Sequence, residues 1–244
     1  MYIKLNKYII LTKKKIVITG GEGRFAQNLR TSNVKLNITF PSKKQLNILK
    51  ISSIRNYIKK TKPNYLIHCA ALSRPMSIHD KLISKSIDIN IIGTSNIVKV
   101  CAEFNIKLIY FSTGYVYEGK KGNYKETDPV LPINNYAWSK LGGECAVRMY
   151  SNSLILRIIM CEKPFMHKHA FGDIKTNFMY HEDVVKVIPK ILEKKGILNV
   201  GGKIQSVYNF AKETNSFIKK ISGKNLFPPN PSMNTSKLKK IMKW

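Results

Sequence analysis

Residues 16–26 read IVITGGEGRFA, a short run of β-branched residues followed by a glycine-rich turn. Gly20 and Gly23 have the spacing at which one glycine makes a tight turn and the next lets backbone N–H groups approach a pyrophosphate. Ala26 takes the third position, where a helix must pack closely against a strand. The pattern predicts a strand, a turn and a helix that together bind a dinucleotide. The predicted cofactor contacts in this turn are Gly20, Gly23, Arg24 and Phe25.

Downstream of this turn, apolar runs typical of strands alternate with longer segments typical of helices. Strands are predicted at 16–18, 34–40, 65–71 (which ends in a small-residue turn), 107–111, 154–156 and 196–200. Helices are predicted after the glycine turn, at 51–61, at about 84–105, from Tyr136 onward and at 181–194. This alternation predicts an α/β fold, a Rossmann-like doubly wound parallel sheet with helices on both faces. Ligands of such sheets bind at the carboxyl ends of the strands.

The same pattern divides the chain into three predicted segments. Residues 1–14 form an N-terminal extension, and residues 15–157 form the dinucleotide-binding core with the catalytic helix. Near residue 160 the composition shifts and the periodicity weakens. Residues 158–244 are therefore predicted to form a small, shortened C-terminal substrate-binding region that interleaves with the last strands and helices of the core.

The composition is that of a globular protein with an unusual charge. Hydrophobic residues make up 43% of the 244, whereas 42 Lys and Arg against 14 Asp and Glu give a net charge of +28. This balance excludes an acidic solvating protein and raises nucleic acid as a partner. The lysines are scattered in short runs, however, and no nucleic-acid-binding motif occurs, so no specific nucleic-acid partner is predicted. The charge is better explained by a compositional drift that has enriched a solvated surface in lysine, or by an electrostatic field that steers anionic, phosphate-bearing ligands.

The cysteines and the apolar runs indicate the compartment. The four cysteines have no CxxC spacing and lie in or beside apolar stretches, which favours reduced thiols over a disulfide framework or a zinc site. No apolar run approaches the ~20 residues that a membrane span needs. We therefore expect a cytoplasmic protein with no membrane association and no bound metal.

A second group of residues carries the chemistry. Ser112 and Thr113 end a predicted strand, and Tyr136 and Lys140 share one face at the start of a later helix. A nearby ammonium lowers the pKa of a tyrosine, which then serves as the general acid for a carbonyl reduction. The Thr113 hydroxyl would hold the same carbonyl oxygen. The predicted catalytic residues are Thr113, Tyr136 and Lys140.

The cofactor type is predicted from the end of the second strand. An acidic residue that grips the adenosine ribose is expected there, but the sequence reads FPSKK and contains no carboxylate. Ser42 and Lys43 suit a 2′-phosphate instead. NADPH is therefore favoured. NADH remains an alternative, because both lysines are also explained as surface residues of a lysine-rich chain.

Taken together, these motifs resemble the extended short-chain dehydrogenase/reductases, and most strongly the dTDP-4-dehydrorhamnose reductase group. The resemblance rests on residues 16–23, 62–71, 90–94, 110–119, 123–129, 135–144, 156–157 and 229–234. It implies NADPH-dependent reduction of the 4-keto group of a nucleotide-diphosphate deoxysugar. It also implies cofactor contacts at Cys69, Ala70, Ala71 and Lys140, and nucleotide-sugar contacts at Ser73, Tyr115 and Arg157.

Two departures keep other functions open. Gly114 stands where the family usually has an acidic residue, and residues 157–180 are shorter than the family's substrate lobe. One alternative is a nucleotide-sugar epimerase or dehydratase that keeps its nicotinamide cofactor bound. Another is a non-catalytic, cofactor-binding regulatory subunit, and a homodimer is compatible with every one of these functions.

Overall fold

The computed structural model describes residues 13–244, so the predicted extension lies almost entirely outside the described residues. The strands are β1 (Lys15–Thr19), β2 (Asn37–Thr39), β3 (Tyr65–His68), β4 (Lys107–Thr113), β5 (Ser153–Ile158), β6 (Met160–Cys161), β7 (His169–Phe171), β8 (Lys175–Thr176), β9 (Met179–Tyr180), β10 (Gly196–Val200), β11 (Gln205–Ser206) and β12 (Lys219–Ile221). The helices are α1 (Arg24–Thr31), α2 (Ile51–Thr61), α3 (Ile78–Lys81), α4 (Ile83–Ile87), α5 (Gly93–Glu103), α6 (Asn135–Arg148), α7 (His181–Ile191), α8 (Val207–Lys212) and α9 (Ser236–Met242).

The centre of the described chain is one parallel sheet with the strand order β2-β1-β3-β4-β5-β10. Every residue of β3, β4 and β5 is buried, as expected for strands covered by helices on both faces. The order reverses between β1 and β3, so a crevice opens at the carboxyl ends of these two strands. The predicted doubly wound Rossmann-like sheet is confirmed.

Alternate residues of each strand supply the two layers of the core. Ile16 and Ile18 face a cluster that includes α1 and α7, whereas Val17 faces a second cluster formed with α2 and α5. The predicted helix at 84–105 consists of α4, a π-helical turn at Asp88–Ile92 and α5. The predicted strand at 34–40 is shorter than expected, since only Asn37–Thr39 pair with β1.

Past residue 158, short strands form three separate pairs, β6 with β9, β7 with β12 and β8 with β11. They enclose their own apolar cluster, in which Phe165, Tyr180 and Phe210 are buried. Helix α7, strand β10 and helix α9 return to the main core. None of the described helices is both long and apolar enough to cross a membrane.

Candidate active site

The glycine turn after β1 is shaped by close backbone contacts. Gly20 has a φ of +72°, which favours glycine, and a Cβ there would lie 2.9 Å from the backbone of Ala70. At Gly21 a Cβ would lie 2.7 Å from the carbonyl carbon of Phe40. The N–H of Gly23 donates to the carbonyl of Gly20 at 2.8 Å and closes the turn. Side chains are thus excluded where a phosphate would approach the backbone.

Helix α1 starts at this turn with its first N–H groups uncapped. Gly23 is the N-cap, no side chain caps the helix, and no acidic residue occupies the first turn. Such a helix end attracts an anion. The side chain of Phe25 packs against Phe111 with ring centroids 4.8 Å apart, so only its backbone N–H can serve the cofactor contact predicted for it.

The loop after β3 forms the opposite wall of the crevice. Cys69, Ala70 and Ala71 are half-buried there, and the N–H of Ala70 donates to the Thr19 hydroxyl at 3.2 Å. A residue that sequence reasoning did not single out, Asn90 of the π-helical turn, fixes this loop. Its side chain accepts from the N–H of Leu72 at 2.8 Å and donates to Ser139 Oγ at 2.8 Å, so it joins the loop to α6.

The predicted catalytic residues come from β4 and α6. Thr113 is the last residue of β4 and its hydroxyl accepts from the N–H of Tyr115 at 3.3 Å. Tyr136 lies in the first turn of α6, which Asn134 caps by accepting from the N–H of Ala137 at 2.8 Å. Lys140 follows one turn later and is 2% exposed.

The electrostatics of this group differ from the expectation. Burial raises the pKa of Tyr136 to about 12, the phenol of Tyr115 adds to this rise, and the Thr113 hydroxyl and the charge of Arg74 oppose it. Lys140 is not among the groups that shift this pKa. The sequence prediction that Lys140 lowers it is therefore not supported, and at neutral pH the phenol keeps its proton.

The ammonium group of Lys140 packs instead over the ring of the buried Tyr110. Its Nζ lies 4.2 Å from the centroid of the Tyr110 ring, and burial lowers its own pKa to about 7 against the opposing influence of Cys69 and Glu144. Burial and this ammonium lower the pKa of the neighbouring His68 to about 3. His68 is a satisfied core histidine, since its ring nitrogens contact Thr19 at 2.7 Å and Thr94 at 3.1 Å.

The predicted substrate contacts fall into two groups. Ser73 and Tyr115 are half-buried in the loops that flank the crevice. Arg157 is 1% exposed, and its guanidinium donates to Glu144 Oε1 at 2.6 Å and to the Tyr117 hydroxyl at 2.8 Å. The prediction that Arg157 contacts substrate is corrected, because β5 directs this side chain into a buried ion pair beneath the crevice.

Charged side chains bridge the mouth of the crevice. Glu162, which follows β6, binds Arg24 of the glycine turn at 2.6 Å and Arg74 of the β3 loop at 3.1 Å. Although burial opposes it, hydrogen bonding from Arg24 and both positive charges lower the pKa of Glu162 to about 2. Next to this bridge, the buried Nδ1 of His181 has no partner among the described residues. Through Arg24 and Arg74, Glu162 connects the glycine turn after β1 to the loop after β3.

The end of β2 holds the residues predicted to select the cofactor. Ser42 and Lys43 form a turn in which the N–H of Ser42 donates to Gln45 Oε1 at 2.9 Å. The N–H of Lys43 donates to Glu22 Oε2 at 3.3 Å, so the glycine turn brings a carboxylate to this place. Glu22 belongs to the glycine turn and not to the end of β2, where the sequence pattern predicts an acidic residue, so no local signal marked it.

These features fit a dinucleotide. A turn closed to side chains, an uncapped helix end and a half-buried loop line the crevice, and the buried Lys140 lies near Cys69 of that loop. Within residues 13–244, no cluster of three or more His, Cys, Asp or Glu side chains could hold a metal ion.

Comparison with known proteins agrees with this geometry. The family model described as RmlD substrate binding domain matches residues 14–163. Over 191 residues the chain is 27% identical to dTDP-4-dehydrorhamnose reductase from Aggregatibacter actinomycetemcomitans, a match that covers 76% of this chain and 60% of that protein. Over 146 residues it is 30% identical to methionine adenosyltransferase 2 subunit beta from Mus musculus, covering 56% of this chain and 43% of that relative. The chain thus spans less than half the length of these subunits.

The fold is shared with solved structures. A dTDP-4-dehydrorhamnose reductase from Bacillus anthracis, solved in complex with NADP, superimposes with a TM-score of 0.83 at 24% identity over 93% of this chain and 92% of that one. The enzyme WbmG from Bordetella bronchiseptica, in complex with NAD, gives 0.74 at 17% identity over 95% and 88%. The resemblance found in the sequence is confirmed, and because the family model covers more than half of the chain, this protein belongs to the RmlD substrate binding domain family.

Proposed function

We propose that the chain is an NADPH-dependent reductase of the 4-keto group of a nucleotide-diphosphate deoxysugar. The observation that carries this proposal is the placement of the Tyr136 phenol, in the first turn of α6, beside the Thr113 hydroxyl at the carboxyl end of β4. Relatives of the same family that are named dTDP-4-dehydrorhamnose reductase support the substrate class.

The residues divide the work of such a reduction. When bound, the reduced dinucleotide supplies a hydride to the carbonyl carbon. Tyr136 then donates its proton to the carbonyl oxygen, and the Thr113 hydroxyl stabilises the charge that develops on that oxygen. A tyrosine with a pKa near 12 holds its proton at neutral pH, which suits a general acid better than a general base. Lys140 binds the cofactor.

The proposed cofactor contacts follow the geometry. The backbone of Gly20, Gly23, Arg24 and Phe25 would bind the pyrophosphate, with Cys69, Ala70 and Ala71 on the opposite wall. Ser42 and Lys43 would bind the 2′-phosphate. The carboxylate of Glu22 lies at the same turn and would favour NADH, because it could accept hydrogen bonds from the adenosine ribose. We propose NADPH because Ser42 and Lys43 present a hydroxyl and a cation there.

The test is NADPH oxidation by the purified protein with dTDP-4-dehydrorhamnose and with its UDP and GDP counterparts. We expect turnover with at least one of them, and a loss of about 10²–10⁴ in kcat for Tyr136→Phe with nearly unchanged NADPH affinity. Tyr57→Phe on α2, at a tyrosine that has no role in the proposed reaction, serves as the matched control. A folded protein that binds NADPH and turns over none of these sugars would refute the proposal, as would a Tyr136→Phe variant with the parental rate.

A second candidate function has its own support. The matched methionine adenosyltransferase subunits suggest that the chain assembles with an enzyme of that kind as a dinucleotide-binding subunit. In that case the protein would co-elute with a methionine adenosyltransferase catalytic chain in size-exclusion chromatography, and Tyr136→Phe would leave the complex intact. Sugar turnover without any such complex would favour the reductase.

A further inference from the structure

The amino-terminal edge of the sheet, opposite the candidate active site, contains a recess of about 210 Å³. Its walls come from residues at the starts of the strands. Lys14 precedes β1, Asn64 precedes β3, Lys107 begins β4 and Lys195 precedes β10. No step proposed above uses this recess, which is separated from the crevice by the length of the strands.

Lys107 is the unusual residue of this recess. It is only 6% exposed, and its Nζ is buried without a hydrogen-bond partner among the described residues. Such a group is rare in folded proteins because burying an unpaired ammonium is costly. Burial and the positive charge of Lys195 lower the pKa of Lys107 to about 8, while Glu193 opposes this shift.

The charges in the recess do not balance. Three ammonium groups, those of Lys14, Lys107 and Lys195, line it together with the single carboxylate of Glu193. That carboxylate already accepts a hydrogen bond from the Tyr65 hydroxyl. The surplus is two positive charges, which an anion with two negative charges would neutralise.

Neutral donors agree with an anion. Asn64 Oδ1 accepts from the N–H of Lys15 at 3.0 Å, so its amide N–H₂ group is left as a donor on the recess. The side chains of Asn105 and Asn152 line the same recess.

We propose that this recess is a phosphate-binding site in which the ammonium groups of Lys107 and Lys195 bind one phosphate dianion and Asn64 donates to its oxygens. The bound group is either free phosphate or the phosphoryl group of a small monoester, since both present the same dianion. Binding at this edge would stabilise the folded chain without entering the active-site crevice.

The test is calorimetric titration of the full chain at pH 7 and constant ionic strength with inorganic phosphate and, separately, with glycerol phosphate. We expect one saturable site, at least tenfold weaker in Lys195→Gln and in Lys107→Met. Lys59→Gln, an exposed lysine on α2, removes the same charge elsewhere and should bind as the parent does. The tighter of the two ligands identifies the source of the phosphate.

Two further measurements keep the outcome clear. Lys195 is exposed, so Lys195→Gln carries the test if Lys107→Met fails to fold, as judged by circular dichroism. Affinity should also fall as the pH rises above 8, because Lys107 then loses its charge. Absence of saturable binding by the parent protein would overturn the proposal. So would equal affinity in Lys195→Gln and Lys59→Gln, which would show a general effect of the net charge.

Discussion

Replacing Glu144 by Gln should remove much of the stability of this fold, because the residue carries the negative charge of a desolvated ion pair. The side chains of Arg157 and Glu144 are 2% and 0% exposed, and their closest atoms are 2.6 Å apart. Glu144 Oε2 also accepts from Arg157 Nε at 3.3 Å and from Ser112 Oγ at 2.9 Å. Glu144→Gln keeps the shape of the side chain and leaves the guanidinium buried without a counter-charge.

The size of the effect follows from this burial. Breaking a buried pair by removing one partner costs about 3–5 kcal/mol, whereas an exposed pair contributes about 0–1 kcal/mol. For a domain of 150–250 residues each kcal/mol corresponds to about 2–4 °C in Tm, so Glu144→Gln should lower Tm by about 6–20 °C. Since native domains are stable by only about 5–15 kcal/mol, the variant should be visibly destabilised at room temperature.

Urea denaturation followed by circular dichroism measures this change, with Lys186→Gln as the control. Lys186 pairs with Asp183 at 2.7 Å on the exposed face of α7, and its loss should change the free energy of unfolding by less than about 0.5 kcal/mol. The double variant Glu144→Gln with Arg157→Met should be more stable than Glu144→Gln alone, since it buries no unpaired charge. A Glu144→Gln protein that unfolds at the parental urea concentration would refute the reasoning.

Three further predictions concern the crevice. Because burial lowers the pKa of Lys140 to about 7, the unfolded chain binds one proton more than the folded chain between pH 7 and about 10. The free energy of unfolding should therefore rise with pH across that window. Urea titrations should show a smaller rise for Lys140→Met. In fluorescence titrations, Glu22→Gln should shift the ratio of NADPH to NADH affinity towards NADPH, and Lys43→Gln should shift it towards NADH. Equal ratios in both variants would contradict the roles proposed for Glu22 and Lys43 in cofactor selection. Gly21→Ala should lower the free energy of unfolding in urea by about 1–3 kcal/mol and weaken dinucleotide binding, because its Cβ would meet backbone atoms at 2.7–2.8 Å. A variant as stable as the parent would show that the backbone of the turn can shift to accommodate a Cβ.

Local patterns in the sequence predict the glycine turn and the end of strand β4. The β-branched run before Gly20 and the glycine spacing act over a few residues, so no knowledge of the packing is needed. The position of Thr113 at the ligand-binding edge follows from a general rule, because parallel strands place their carboxyl ends at one edge. These features depend on chain direction and spacing, which a single sequence contains.

Long-range partners cannot be predicted in the same way. Glu162 lies 138 residues from Arg24, and nothing near either residue marks the contact. Arg157 was expected at the crevice because it stands near a strand end, but pairing with Ser112 places its side chain on the face that α6 covers with Glu144. The sequence also predicts a lowered pKa for Tyr136, whereas burial raises it, and burial depends on packing that a single sequence does not reveal.

Gly114 connects the departure from the family pattern to the proposed chemistry. A Cβ at this position would lie 2.7 Å from Ile159 Cδ1 and 2.9 Å from Met233 Sδ, so these side chains fill the space where an acidic side chain would begin. Asn177 holds Met233 through two hydrogen bonds of 3.0 Å. The carboxylate across the crevice mouth, Glu162, is kept ionised by two arginines, which suits it poorly for donating a proton. A dehydratase needs an acid and a base beside the tyrosine, whereas a reductase needs one proton. The packing around Gly114 therefore favours reduction.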